Sequence, residues 1–494
     1  MIKDFINDAI KYIPARIVPG IVGFISIPII TRLFPPKEYG YYSLAITTIS
    51  IFITVTGWIS MSTIRFYPAF ERENKVNQFL WNIFWSAIIS TFSLTVIFVI
   101  FILFIKTYIP LQLYFLLLAG AGFFAVCSIY NVFLSILSAQ RKIIWFSGFS
   151  VWRSIMSLSL GLLFIFIFKT NIEGLFYGMI LSIVIVLPLQ WNISIKKFYT
   201  TTAQIDLSLI KKMARYSSPL VLGNMAAWIL SLSDRYVLEF IRGAHEVGIY
   251  ATSYNITNRS IMLIISLFMV ASSPISNRIW ENEGEEKSKE FREQITRYYL
   301  MICIPAVFGF IVLAKPLFSI MVGKEYLEGY KIIPFITLGI FFLGLQNIFH
   351  AGFLFHKKTG YITFAIGISG AFNLFLNILF IPKFGYVAAA LTTLISYVFL
   401  LFVIVIRSRR IFVWKFPFRS LVRISLISAI MGVCIYYLSN IYLPRNTLNI
   451  IISVLLGIIT YGLFLFLFKE IQPEEKENVK NIFYKFFLRL GSDT

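Results

Sequence analysis

Apolar runs of about twenty or more residues alternate with short polar connections along nearly the whole chain. A helix that crosses lipid needs about 20 mainly apolar residues, because each backbone N–H and C=O must find its partner within the helix across about 30 Å of hydrocarbon. The runs predict fourteen spans, over 10–32, 40–64, 79–105, 111–138, 143–168, 172–195, 214–240, 247–277, 295–314, 331–355, 360–381, 384–406, 420–440 and 447–468. The first run is long, holds Arg16 and lacks a small-residue cleavage pattern, so it reads as a span and not as a signal peptide. Beyond the last run, Val479, Ile482, Phe483, Phe486, Phe487 and Leu490 recur at helical spacing, with Lys480, Lys485 and Arg489 on the other side. That tail predicts an amphipathic helix, either on the anionic inner leaflet or packed on the protein itself.

Composition agrees with an all-α integral membrane protein. The 494 residues are 58% hydrophobic, 17% aromatic and only 14% charged, whereas soluble domains carry about 25% charged residues. The same apolar content excludes a disordered chain. Cys127, Cys303 and Cys434 are widely spaced inside apolar runs, without the spacing of a metal or disulfide framework, and read as packing residues. The net charge of +21 would suggest nucleic acid in a soluble protein. In a membrane protein it reflects the collection of Lys and Arg on the cytoplasmic side, so no nucleic-acid partner is expected. With an even number of spans the termini share a side, which carries about 30 basic residues against about 11 opposite; three more, Arg16, Arg153 and Arg259, lie within spans. Both termini are therefore expected in the cytoplasm of a multi-pass cell-membrane protein. The excess sits in 196–215, 278–297 and 407–423, while the outer loops are short. They leave no room for the carboxylate-bearing outer portion of a membrane glycosyltransferase or polymerase. The mixed-sign run from Glu281 to Glu290 reads as a solvated loop or exposed helix end.

An internal repeat organises the spans. Glu38-Tyr-Gly-Tyr-Tyr42 opens the second and Glu246-Val-Gly-Ile-Tyr250 the eighth, 208 residues later. Thr31-Arg32 precedes the first copy and Asp234-Arg235 the second. Gln140-Arg-Lys142, entering the fifth span, is echoed by His356-Lys-Lys358, entering the eleventh, and Glu173-Gly174 by Phe384-Gly385. These echoes predict two six-helix lobes in one orientation, over 1–196 and 214–406, joined by a cytoplasmic linker over 197–213. Two further spans over 420–468 and a cytoplasmic tail over 469–494 complete the chain. Like-oriented bundles are a transporter architecture, with a cavity open alternately to either side.

With these features the chain resembles the polysaccharide-exporter branch of the multidrug/oligosaccharidyl-lipid/polysaccharide flippase superfamily, the MATE/MOP superfamily that includes the Wzx-like O-antigen flippases. The residues carrying the resemblance are Glu38, Gly40 and Tyr42, their copy at Glu246, Gly248 and Tyr250, the Asp234-Arg235 pair, Ser218-Pro219 to Asn224, and the stretch of Asn373, Asn377, Ile381-Pro382, Gly385 and Ala388-Ala389-Ala390. The resemblance implies a 14-helix, MATE-like, two-lobed transporter that turns polyprenyl-diphosphate-linked oligosaccharide from the inner to the outer leaflet for surface polysaccharide synthesis. Its partners would be that lipid-linked substrate, the membrane lipids, and the polymerases and glycosyltransferases of the same product. Relatives that flip lipids carry arginines in their first and eighth helices, which resembles Arg16 and Arg259.

Flipping asks for an electropositive aqueous route for a diphosphate and its sugars. Arginine suits it, since its guanidinium stays charged and binds phosphate oxygens in pairs. Arg16 shares a face with Tyr12, Pro19, Gly20 and Gly23, where small residues and a proline open room; snorkelling to the inner interface is the alternative. Arg259 follows Asn255 and Asn258, and could equally bridge to a neighbouring helix. Arg153, a turn from a span end, and Arg65, at the end of the second span, are further diphosphate candidates for which snorkelling or end-marking competes. Asn224, Tyr254, Asn255, Asn373 and Asn377 are candidates for sugar contact, or else for helix packing. Asp234, Arg235 and Glu239 read as a gate or brace, with Arg235 pairing Glu239 at i, i+4, or as a proton or sodium coupling site at Asp234. His245, His350 and His356 belong to no HExxH motif, and no GxSxG, Walker or GxGxxG signature is present. A transporter with no bound cofactor is therefore expected instead of an enzyme, driven by an ion gradient, by membrane potential or by the substrate gradient. A peptidoglycan-precursor flippase would use the same cationic route. A cation-coupled drug antiporter would need carboxylates where this chain has arginines, and a scaffold would need no buried arginine.

Overall fold

The computed structural model describes residues 2–196, 204–438, 447–473, 475 and 477. Among them the chain is helical and contains no strand. The helices are α1 (Ile2–Leu33), α2 (Pro36–Arg72), α3 (Val76–Ile105), α4 (Leu111–Ala139), α5 (Ile143–Ile167), α6 (Gly174–Ser194), α7 (Leu207–Leu232), α8 (Asp234–Arg242), α9 (Ala244–Val312), α10 (Ala314–Met321), α11 (Ile333–Phe349), α12 (Ala351–Phe355), α13 (Gly360–Ser408), α14 (Phe418–Tyr437) and α15 (Thr447–Leu467). A 3₁₀ segment, Lys324–Ile332, joins α10 to α11. The amphipathic tail expected over 479–490 and part of the 197–213 linker lie outside the described residues.

Among the described residues eleven helices are long and apolar enough to cross a membrane, against the fourteen spans expected. Two of the eleven account for pairs of expected spans. The helix α9 runs through Gly284 (φ 85°) and α13 through Gly385 (φ 57°), and at both the backbone leaves helical geometry. A positive φ is a conformation glycine reaches without the steric cost other residues meet, so the bend sits there. The helix α7 is long but carries Lys211, Lys212, Arg215 and Asn224, and falls short in apolar content. Its first turn is capped by Asp206, whose carboxylate accepts from the Ser208 and Leu209 N–H groups at 2.9 and 3.1 Å.

Helix ends repeat in a way the sequence echo anticipates. After α4 the residue Arg141 takes φ 56°, and after α12 Lys357 takes φ 56°. In each case the following N–H reaches back to close the last turn, Lys142 to the Leu137 carbonyl at 2.9 Å and Lys358 to the Phe353 carbonyl at 2.7 Å. This is the left-handed stop that satisfies otherwise unpaired carbonyls at a helix C-terminus. Thus Gln140-Arg-Lys142 and His356-Lys-Lys358 do the same local work.

The chain forms two compact units. The first comprises Met1–Arg259, Val322–Ile332 and Thr359–Leu400; the second comprises Ser260–Met321, Ile333–Lys358 and Leu401–Thr494. Within the first, α2 packs against α4 and α7, and α5 against α1 and α6. The two Glu-x-Gly-x-Tyr copies meet there face to face. A Cβ on Gly40 of α2 would strike the Ala244 carbonyl of α9, with its carbon at 2.8 Å and Gly248 N at 3.1 Å. A Cβ on Gly248 would strike the Pro36 carbonyl, with Pro36 Cα at 3.0 Å. Each glycine thus lets one helix start lie directly on the other, and the relation is reciprocal. The glutamate of the second copy anchors the broken helix: Glu246 accepts the Tyr386 N–H at 2.9 Å and pairs with Arg242 Nε at 3.3 Å.

In the second unit, α14 packs against α15, and Leu313, Met431 and Ile435 form an apolar cluster with Phe308, Val312 and Tyr461. Arg297 of α9 is buried between two carboxylates that follow α15, with Nε 3.1 Å from Glu470 and Nη1 2.7 Å from Glu475. Burial pushes the Glu475 carboxyl up, but the Arg297 guanidinium and the Gln472 N–H outweigh it and hold that carboxyl below its usual range. Arg292, one turn earlier, donates to Ser276 and lies over the Phe355 ring at 5.4 Å.

Candidate functional site

The apolar first span carries a cationic edge. Arg16 is exposed on α1, and Gly23, two turns further along, lies on the same face. The guanidinium of Arg259, from α9, rests directly on Gly23: a Cβ there would collide with its Nη1 and lie 2.6 Å from its Cζ. The two arginines therefore address one stripe of α1, about 10 Å apart along the helix by the rise per residue. Neither forms an ion pair among the described residues, and Arg259 is an electrostatic neighbour of Tyr42 in the first motif copy. Two exposed cations of like sign, kept together over glycines, leave their charge available to an anion.

Arg65 and Arg153 lie on other helices, α2 and α5. Arg65 is exposed toward the end of α2. Arg153 lies over the Tyr130 ring at 5.1 Å and reaches the buried Cys127 sulfur at 3.6 Å, while the Tyr130 hydroxyl is fixed to the Phe149 carbonyl at 2.8 Å. Its guanidinium is held within the packing of α4 and α5.

Asp234 and Arg235 are buried where α8 meets α2, α9 and α13. Asp234 accepts the hydroxyls of Tyr250 and, at 3.4 Å, Thr393. Arg235 Nη1 donates to Thr47 at 2.9 Å and Ser43 at 3.2 Å, and the guanidinium lies 5.8 Å from the Tyr254 ring. The i, i+4 pair expected between Arg235 and Glu239 does not form: the hydroxyls of α2 take the guanidinium, and the buried Glu239 Oε2 has no hydrogen-bond partner. Among the described residues Asp234 Oδ1 and Arg235 Nε are likewise without partners. The cluster thus joins α8 to α2, α9 and α13 through hydroxyl groups and keeps unpaired polar atoms. Sequence reasoning missed its partners Ser43, Thr47 and Thr393; the signal was there in the i, i+4 hydroxyls of an otherwise apolar α2.

The residues expected at sugars divide. Asn373 and Asn377 are fully buried, bonded to each other at 2.9 Å and to Thr392, so they lock the two arms of α13 on either side of Gly385. Tyr254 is buried with its hydroxyl 3.3 Å from that of Tyr397. Asn255 is half-buried and donates to Tyr39 at 3.2 Å, whereas Asn224 is exposed on α7. In this conformation only Asn224 and Asn255 keep surface for a ligand.

A family model described as "Polysaccharide biosynthesis protein" matches residues 6–280, more than half of the chain, and a model described as "MatE" matches residues 219–379. The chain is 24% identical over 401 residues to the capsular polysaccharide biosynthesis protein CapF of Staphylococcus aureus, covering 77% of this chain and 93% of that protein. It is 24% identical over 270 residues to the "Probable low-salt glycan biosynthesis flippase Agl15" of Haloferax volcanii, covering 53% of this chain and 52% of the relative. Among solved structures, a lipid II flippase MurJ in its inward closed conformation superposes with a TM-score of 0.74 at 21% identity, over 94% of this chain and 99% of that one.

Proposed function

The chain belongs to the polysaccharide biosynthesis protein family, and from that premise we propose that it is a flippase turning polyprenyl-diphosphate-linked oligosaccharide across the membrane by alternating access, with Arg16 and Arg259 engaging the diphosphate. The observation that carries this reading is the shared stripe of α1, on which both guanidinium groups stand exposed and, among the described residues, without a carboxylate partner. Groups of that kind inside membrane-spanning helices are costly unless they face water or an anionic ligand. A diphosphate supplies the anion while the polyprenyl tail stays in lipid. The names of the relatives support a glycan-linked lipid, and the fold is that of membrane transporters.

Several finer features belong to the same proposal. The reciprocal packing of the motif copies supports two like-oriented lobes, over 1–196 and 214–406. The basic excess in 196–215, 278–297 and 407–423 supports cytoplasmic termini in the inner membrane. Asp234, Arg235 and Glu239 serve as a brace or gate, with the unpaired Asp234 Oδ1 as the place for a proton or sodium ion, and Asn224 and Asn255 meet sugar. No chemical step is required of the protein, and it hands its substrate to the polymerases and glycosyltransferases of the outer face. A peptidoglycan precursor offers the same diphosphate; the likeness to a lipid II flippase keeps that substrate as the second reading.

The test is gene deletion in the native host, with complementation by wild type, Arg16→Ala and Arg259→Ala. Inner-leaflet accumulation of lipid-linked oligosaccharide and loss of surface glycan are expected, rescued by wild type alone at equal membrane abundance. Normal surface glycan from the well-expressed double variant would remove the arginines from the path.

A further inference from the structure

We propose that the cavity between the end of α2 and the first turns of α7 is a docking site for the diphosphate of a lipid-linked substrate, occupied before the headgroup reaches Arg16 and Arg259. The proposal rests on the flippase reading and on the orientation argued with it. The cavity measures about 500 Å³ and is lined by Phe66, Ser208, Lys211, Lys212, Arg215 and Tyr216. Five of the six lining residues are exposed, so the site is an open groove, with room for more than a single phosphate.

Its chemistry is one-sided. Three cations line it and no carboxylate does, and none of the three forms an ion pair among the described residues. The adjacent carboxylate, Asp206, is committed to the cap of α7, taking the Ser208 hydroxyl at 2.6 Å as well as the two N–H groups. The Ser208 hydroxyl and the Leu209 N–H hold that carboxyl below its usual range. The remaining wall is aromatic: Phe66 and Tyr216 meet edge to face at 5.5 Å, and Lys212 Nζ stands 5.8 Å from the Phe66 ring. Cations beside aromatic faces suit a ligand that joins phosphate to a sugar ring or an isoprenoid chain. The side chains from α7 are exposed, but the helices that carry the lining are joined. Just beyond the cavity the buried Ser62 hydroxyl bonds that of Ser217 at 2.7 Å and the Met213 carbonyl at 3.2 Å, clasping α2 to α7. A loose patch of surface lysines would have neither the clasp nor the aromatic wall.

The test uses the full chain in nanodiscs of neutral phosphatidylcholine, with farnesyl diphosphate as the probe. To isolate the cavity, binding is measured in an Arg16→Ala/Arg259→Ala background, with and without Lys211→Gln, Lys212→Gln and Arg215→Gln. Saturable binding is expected in the background, weakened about tenfold or more by the triple change, and untouched by Lys287→Gln/Lys289→Gln on the charged stretch of α9. Should the triple variant unfold early in a thermal scan, the single Lys211→Gln and Arg215→Gln variants are each expected to weaken binding several-fold. Binding unaltered by these changes overturns the proposal. Inorganic pyrophosphate binding as tightly as the probe would make the site one for a free anion, and equal competition by phosphatidylglycerol would make it a general lipid contact; both overturn it. Farnesyl diphosphate binding by a protein that moves no glycan between leaflets would retain the site while removing the flippase reading.

Discussion

Gly23→Ala separates the function of the arginine stripe from the stability of the fold. The added methyl would overlap Arg259 Nη1, with Cζ at 2.6 Å and Nη2 at 3.3 Å. Comfortable carbon contacts begin at about 3.5 Å, so the guanidinium, whose Nη1 lies nearest, must withdraw by about 2 Å. It can do so cheaply, being the end of a long exposed side chain, and alanine in place of a helical glycine adds about 0.8–1 kcal/mol of helix propensity. Stability should therefore hold or rise. Transport should not, because a displacement of about 1 Å at a binding group can cost as much as 10²-fold. The expected outcome is a 10- to 100-fold slower translocation, read as exposure of a labelled lipid-linked oligosaccharide at the far face of proteoliposomes, beside an unchanged or raised unfolding temperature in detergent. Gly20→Ala is the matched control, since nothing lies within 4 Å of its added Cβ. If Gly23→Ala transports as fast as Gly20→Ala, the position of Arg259 on α1 does not matter to translocation, and the reasoning fails.

Two further perturbations act on stability. Gly40→Ala or Gly248→Ala drives a methyl into backbone that cannot swing aside, and should destabilise by about 1–3 kcal/mol, the range for overpacking; an unfolding midpoint equal to that of Gly20→Ala would show that the seam yields. Arg297→Ala leaves the buried Glu470 to the more exposed Arg423, 3.6 Å away, and removes the cation beside the half-buried Glu475, so it should cost toward the low end of about 3–5 kcal/mol, seen as a lower detergent unfolding temperature. Glu470→Gln added to Arg297→Ala should recover part of it.

The sequence made the architecture legible because lipid imposes a single rule, an apolar helix of a certain length, and each expected span falls on helix to within a few residues. The count differs because helix continues through both connections: at Gly284 across the polar stretch that the sequence marks as a break, and at Gly385 across a few residues between two apolar runs. The repeat was legible as letters, but not its purpose: nothing in Glu-x-Gly-x-Tyr says that one copy lies on the other. At the site, Arg16 and Arg259 stood out because charge is rare in such runs. What spacing alone could not give is which partner wins. Arg235 had a carboxylate four residues away, yet is held by hydroxyls from 188 and 192 residues back. Asn373 and Asn377 suited sugar contact or helix packing equally by type, and here are bonded to each other.

The reciprocal seam also bears on how the protein is made. Gly40 and Gly248 are 208 residues apart, and at synthesis rates of about 5–20 residues per second the first helix start waits roughly 10 to 40 s for its mate to emerge. During that interval Pro36 and Gly40 offer a narrow groove of bare backbone, open to whatever the insertion machinery holds beside it. The nascent amino-terminal lobe is then an unfinished surface that must be shielded, and another newly made copy of the same lobe is the competitor it resembles most.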